Sequence, residues 1–217
     1  MMSVIFAFLG MMGLTALFVV VTDGRYFGKK LMRWLYDRFG PYLYSGDGET
    51  ERWHKVINAL VLQGDETILD VGTATGKLPL TIAAIPGFRG RIVAIDQSPR
   101  MIAKAKAEAS RRGLSPRVEF RVLEVRNSLP FSNREFDVVL CIGLLGTLPR
   151  PEMLLRELRR VLKPEGILVL SYYRGWPIPR RRWYWKQLDM LEFSPPQTIT
   201  FRALEDILIA QRLTGNS

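Results

Sequence analysis

A chain of 217 residues has room for one ordinary domain and a short appendage. An apolar fraction of 47% excludes a disordered chain, and a single cysteine with a single histidine excludes both an intrachain disulfide and a zinc cluster, so a reducing compartment is the simpler reading. The formal charge of +10 implies an anionic partner, either nucleic acid or an acidic membrane face, without choosing between them.

Residues 1–22, MMSVIFAFLGMMGLTALFVVVT, carry no charge and match the roughly 20 apolar residues that a helix needs to cross a bilayer. No basic stretch precedes them, as a cleaved signal peptide would require. Arg25, Lys29, Lys30 and Arg33 follow at once, so the positive-inside tendency predicts a single-pass transmembrane anchor with the rest of the chain on the cytoplasmic side. Residues 23–49 mix basic side chains with Tyr26, Phe27, Trp34, Tyr36 and Tyr42. That pattern suits a helix lying in the headgroup layer or a linker helix packed on the domain.

From residue 50 to 217 the pattern changes to that of a folded α/β domain. The stretch ERWHKVINALVL puts Trp53, Val56, Ile57 and Leu60 on one helical face. Strand-length apolar runs follow in TILDV, RIVAID, RVEFRVL, FDVVLCI and GILVLSYY, separated by helical stretches such as SPRMIAKAKAEASRRG and PEMLLRELRRVL. Strands alternating with helices predict a parallel sheet covered on both faces, with Gly113, Pro116, Pro130, Pro164 and Gly166 marking turns. There is no internal repeat.

Ligands of such sheets sit at the carboxyl ends of the strands, where the loop GTATG follows ILDV. Small residues there let the backbone approach a ligand. The dinucleotide fingerprint G-x-G-x-x-G fails, since its positions are held by Gly72, Ala74 and Lys77; a P-loop fails because Leu78 follows Lys77. What remains is an acid, Asp70, before the loop and a second, Asp96, ending the next strand. An acid at the latter position accepts hydrogen bonds from both ribose hydroxyls, and Asp70 either holds the loop or meets a cationic ligand group. Each alone is equally readable as a turn or cap residue, and Ser98 reads as the N-cap of the following helix. Together with the loop they predict a nucleoside site.

In their order, LDVGTATG, VAIDQSPRMIAKAKA, LPFSNREFDVVLCIGLLGTLP and LLRELRRVLKPEGILVL resemble the class I methyltransferases that use S-adenosylmethionine (SAM). The closest likeness is to the branch that includes ubiquinone and menaquinone biosynthesis methyltransferases. The resemblance implies a Rossmann-like sheet with helices on both faces. It also implies that Asp70, Gly72, Thr73, Ala74 and Gly76 lie against the methionine part of SAM, that Asp96 holds the ribose with Gln97 and Ser98 beside it, and that Glu124, Val125 and Arg126 border the adenine. Val125 stands where the family usually has an acid. Ala74 replaces the middle glycine of the usual loop, which is tolerable at a negative φ. EDILIAQRLTG resembles the sixth strand, so the final antiparallel strand is expected to be missing, through a truncated gene, a strand donated by another chain or homo-oligomer partner, or an unusual sheet.

Methyl transfer needs a general base only where the acceptor must lose a proton. His54 has a suitable pKa but reads first as a surface histidine; Tyr172 and Tyr173 end the fifth strand near the acceptor but also read as core aromatics. The stretch RRRWYW from Arg180 suits lipid phosphates and headgroups better than RNA, given the anchor before it. The sequence therefore predicts a membrane-anchored SAM-dependent methyltransferase with a hydrophobic small-molecule acceptor and no metal. A SAM-binding scaffold without catalysis and an RNA methyltransferase are the alternatives, and a nicotinamide enzyme ranks below both.

Overall fold

The computed structural model describes residues 34–40, 50–125, 128–148, 150–174, 181–201 and 205–214 of the chain. The expected membrane anchor lies outside these residues, as does the juxtamembrane segment apart from a short helix at 34–40 (α1). Among the described residues no helix is long and apolar enough to cross a membrane.

The domain is a seven-stranded sheet between two helical layers. Its strands are β1 (Thr67–Val71), β2 (Arg91–Asp96), β3 (Val118–Val122), β4 (Phe136–Cys141), β5 (Leu162–Tyr173), β6 (Gln197–Thr200) and β7 (Glu205–Gln211), in the spatial order β3-β2-β1-β4-β5-β7-β6. The first five pair in parallel, while β7 runs antiparallel to both β5 and β6.

Alternation along the strands sorts the core into two layers. Ile68, Ile92, Ala94, Val138 and Leu140 pack against α2 (Thr50–Leu60), α3 (Lys77–Ala83) and α4 (Pro99–Arg111). Leu69, Val93, Ile95, Val139 and Cys141 pack against α5 (Pro151–Val161) and α6 (Arg181–Met190). The predicted apolar face of α2 is buried, with Val56 fully enclosed.

Two expectations are corrected here. The final antiparallel strand is present: EDILIAQ is that strand, inserted between β5 and β6, and β6 is the short QTIT run after Pro196. Reading β7 as the sixth strand made the sheet look unfinished; it needs no strand from another chain. Pro164 and Gly166 mark no turn, because β5 begins at Leu162 and contains both. The strand absorbs them through a register irregularity against β4 and a left-handed Glu165 at φ 62.

Candidate functional site

Two buried acids meet at the carboxyl ends of β1 and β2. Asp70 is 4% exposed, and burial pushes its carboxyl up to about 7; the Thr73 side chain opposes that rise and the charge of Asp96 adds to it. Burial also raises Asp96 above the usual carboxylate range, against hydrogen bonds that favour its ionised form. Ser98 N donates to Oδ1 at 2.9 Å, Ala74 N to Oδ2 at 2.9 Å and the Tyr36 hydroxyl to Oδ2 at 3.1 Å.

The loop between the acids is fixed by its own backbone. Gly72 N and Thr73 N both donate to the Ile95 carbonyl, at 2.9 and 3.0 Å, which clamps the loop to β2 one residue before Asp96. At Gly76, φ is 76°, and a Cβ there would lie 2.8 Å from the Phe120 ring and 2.9 Å from the Ala105 methyl. Glycine is what lets α3 start this close to α4 and β3. Ala74 departs from expectation: its φ is 49°, in the left-handed region. The bond from its N–H to Asp96 holds it there, and the replacement of glycine carries a strain of about 1 kcal/mol.

Ser98 caps α4 as predicted, its Oγ accepting from Met101 N at 3.1 Å. The same hydroxyl donates to Asp37 Oδ1 at 2.5 Å, and Asp37 Oδ2 pairs with Arg100 Nε at 3.3 Å. Helix α1 is thus tied to the strand end by Tyr36 and Asp37. Its other side presents Trp34, 57% exposed, and Phe39, 47% exposed, packed edge to face at 6.1 Å. The Arg38 guanidinium lies 5.6 Å from the Phe39 ring centre. Nothing in the spacing links Tyr36 to Asp96, 60 positions away.

Leu123 N donates to the Asp96 carbonyl at 2.8 Å, which holds Glu124 and Val125 beside the acid's strand end. Val125 packs on the α5 side of the core. Gln97 is exposed, and Arg126 lies outside the described residues.

The other candidates separate. His54 is exposed and lines a groove with Lys77, Lys104 and Arg111, not the carboxyl edge. Tyr172 and Tyr173 do not act together, because consecutive strand residues face opposite ways. Tyr172 is buried, its hydroxyl donating to Asp206 Oδ2 at 2.8 Å and its ring lying 5.6 Å from that of Tyr184. Tyr173 is 36% exposed at the edge, beside Gly143. In the basic-aromatic stretch, Tyr184 is fully buried, Trp183 and Trp185 pack on the core, and Arg181 lies 4.5 Å over the Trp185 ring. That leaves few free faces for stacking bases. Arg180 lies outside the described residues.

Cys141 is no nucleophile: burial, with the nearby Asp70 charge, pushes its thiol well above the usual range. Among the described residues no cluster of metal ligands forms. The sequence reading did not single out Arg52, Gly143 and Glu205, which lie together at the other end of the edge. The one available signal was the acid pair Glu205-Asp206 opening a strand buried up to Ala210.

A family model described as a methyltransferase domain matches residues 62–194. The chain belongs to the SAM-dependent methyltransferases. This methyltransferase is 31% identical over 136 residues to a phosphatidylethanolamine N-methyltransferase of Cereibacter sphaeroides, covering 62% of this chain and 64% of that one. It is 33% identical over 106 residues to a ubiquinone/menaquinone biosynthesis C-methyltransferase of Azotobacter vinelandii, covering 48% and 42%. The chain therefore spans less than two thirds of the length of these curated relatives. Among solved structures, the magnesium protoporphyrin IX methyltransferase of Synechocystis PCC 6803 with bound SAM superposes with a TM-score of 0.70 at 20% identity, covering 85% of this chain and 96% of that one. A SAM-dependent methyltransferase from Aquifex aeolicus gives 0.68 at 21%, covering 80% and 97%. Both share the fold.

Proposed function

We propose that this methyltransferase moves the methyl group of SAM to an apolar or lipid-like acceptor, such as a quinone precursor, an isoprenoid derivative or a phospholipid headgroup. The observation that carries the cofactor half of this reading is the pair of buried acids, Asp70 and Asp96, on either side of a glycine loop clamped to β2. In it, Asp70 faces the ammonium of the methionine part, and the backbone of Gly72, Thr73, Ala74 and Gly76 lines that part. Asp96 holds the ribose hydroxyls with Gln97 and Ser98 beside it, and Glu124 and Val125 border the adenine. A buried acid suits a cationic ligand group, and a charged acceptor strengthens hydrogen bonds to a ribose. Asp96 already accepts from Ala74, Ser98 and Tyr36, so the ribose takes the place of Tyr36, whose donor comes from outside the sheet and its loops.

SAM supplies a methyl on a positively charged sulfur, and the chain's task is to place the acceptor in line with it. Support for a lipid-like acceptor comes from relatives named for phosphatidylethanolamine N-methylation and for C-methylation in ubiquinone and menaquinone biosynthesis. The outward aromatic and basic side chains of α1 suit a headgroup layer, and the apolar, uncharged residues 1–22 suit an anchor that leaves the domain on the cytoplasmic face. With the seventh strand in place, the strongest reason for a scaffold without catalysis is gone.

The test is calorimetric SAM binding to the full chain in detergent, followed by transfer of labelled methyl to phosphatidylethanolamine vesicles and to a prenylated hydroquinone. Saturable binding that Asp96→Ala weakens by about 100-fold, with label appearing in one lipid, is the expected result. Binding with no label in either lipid would sink the acceptor class; binding untouched by Asp96→Ala would sink the site.

A further inference from the structure

The β4–β7 side of the edge contains a partly buried ion pair that is only half satisfied among the described residues. Arg52, from the first turn of α2, pairs through Nη2 with Glu205 Oε2, at the start of β7. The two side chains are 18% and 8% exposed. Arg52 Nε and Glu205 Oε1 have no hydrogen-bond partner among the described residues, and neither does the buried Tyr184 hydroxyl. Removing two charges from water costs several kcal/mol per ion, and good pairs offset this by satisfying their remaining donors and lone pairs. A pair that leaves them open is a poor way to stabilise a fold; it suits a site whose missing partner is a ligand.

That oxygen is enclosed and borders the space that a side chain at Gly143 would fill. A Cβ built on Gly143, just past β4, would lie 4.0 Å from Glu205 Oε1 and 3.8 Å from the Tyr173 hydroxyl, so the absence of a side chain leaves that space open. The next residue, Leu144, reaches the cofactor loop: a Cβ on Gly72 would lie 3.3 Å from its Cδ2. The stretch Gly143-Leu144 therefore touches the glycine loop on one side and the Glu205 oxygen on the other. Glu205 and Tyr173 are also near enough to Tyr184 that their charges, after burial and Cys141, help push its hydroxyl above the usual tyrosine range.

We propose that Glu205 Oε1 is the proton acceptor of the methyl-transfer reaction and that the acceptor presents an N–H or O–H group to it. This rests on the reading that cofactor and acceptor meet at this edge. The acceptor's nitrogen or oxygen, or a ring carbon activated by the ionising oxygen, forms a bond to the methyl carbon. The carbon–sulfur bond breaks, its electron pair stays on sulfur, and the acceptor's proton moves to Oε1. Charge balances, since the positive sulfonium becomes a neutral thioether and the proton neutralises the carboxylate.

The experiment uses the full chain in detergent, loaded with the demethylated cofactor and titrated calorimetrically with phosphoethanolamine and with hydroquinone, one probe for each kind of proton. One probe binds, and Glu205→Ala weakens it by about tenfold or more. With the matching lipid as substrate, Glu205→Gln lowers kcat by about 100-fold or more at nearly constant KM, and Glu205→Asp restores part of the rate. Cofactor affinity stays within about twofold in all three variants, which certifies their fold. Neither probe binding the wild type, or Glu205→Gln turning over at the wild-type rate, would overturn the assignment. Transfer to lipid that survives in Glu205→Gln leaves the proposed function standing without Glu205; soluble probes that bind through Glu205 while no lipid is methylated leave Glu205 standing without the lipid acceptor.

Discussion

The two halves of the carboxyl edge handle buried charge in opposite ways. On the β1–β2 side, Asp96 is met by backbone donors from Ala74 and Ser98, and the loop that supplies one of them is itself hydrogen-bonded to β2. On the β4–β7 side, Arg52 and Glu205 are joined to each other but keep a donor and an acceptor without a partner among the described residues. The first arrangement has its backbone donors in place before any ligand arrives, so in the proposed ribose complex only the Tyr36 bond gives way. The second leaves its last hydrogen bonds for whatever enters. The proposed division of the edge between cofactor and acceptor accounts for that difference.

The contrast is broken most severely at Gly76. Gly76→Ala forces a side chain into a left-handed backbone and against Phe120 and Ala105, and a loss of about 3 kcal/mol in urea unfolding is expected, together with loss of SAM binding. Next comes pH. If a cationic ligand group needs ionised Asp70, SAM affinity falls by about tenfold for each pH unit below 7 and levels off above it, a dependence that Asp70→Asn removes; calorimetry across pH 5.5–8, roughly, reads it. The stability of the free protein moves the other way. Its folded pKa is raised, so the native state binds more protons than the unfolded chain between about 4 and 7, and Asp70's contribution falls as pH rises through that window. Asp70→Asn should accordingly raise the melting temperature at pH 8, with the gain shrinking toward pH 4.

Smaller effects sharpen the comparison. Tyr36→Phe removes the donor on Asp96 that does not come from the sheet or its loops, and SAM is expected to bind about fivefold tighter, because one competing hydrogen bond is gone. Unchanged or weaker binding would mean that Tyr36 does not compete with the ribose. Ala74→Gly relieves the left-handed strain and is expected to stabilise the fold by about 0.5–1 kcal/mol, measured by urea unfolding with cofactor affinity preserved.

The completed half was also the legible one. β1 to β5, the helices around them and the capping role of Ser98 follow from periodicity and local chemistry, since each signal lies within a few residues of what it specifies. β6 escaped because Gln197 to Thr200 are polar or half-buried on both faces and show no period of two. Misreading it shifted the identity of β7 and made a whole sheet look incomplete. The contacts Tyr36 to Asp96 and Arg52 to Glu205 join residues 60 and 153 positions apart, and no local pattern reports a pairing made by tertiary structure. Ala74 was misjudged for a related reason: its backbone angle is set by a bond to Asp96, 22 residues on.

The reversal of β7 has a consequence for how such a domain changes over time. A parallel strand delivers to the working edge the residues that follow it, whereas a reversed strand delivers those that precede it, so Glu205 and Asp206 arrive there before the chain enters the core. Insertions or exchanges just ahead of β7 therefore alter the Glu205 end of the edge without passing through the stretch from Asp70 to Asp96. One inverted strand gives the molecule two separately editable inputs to a single edge.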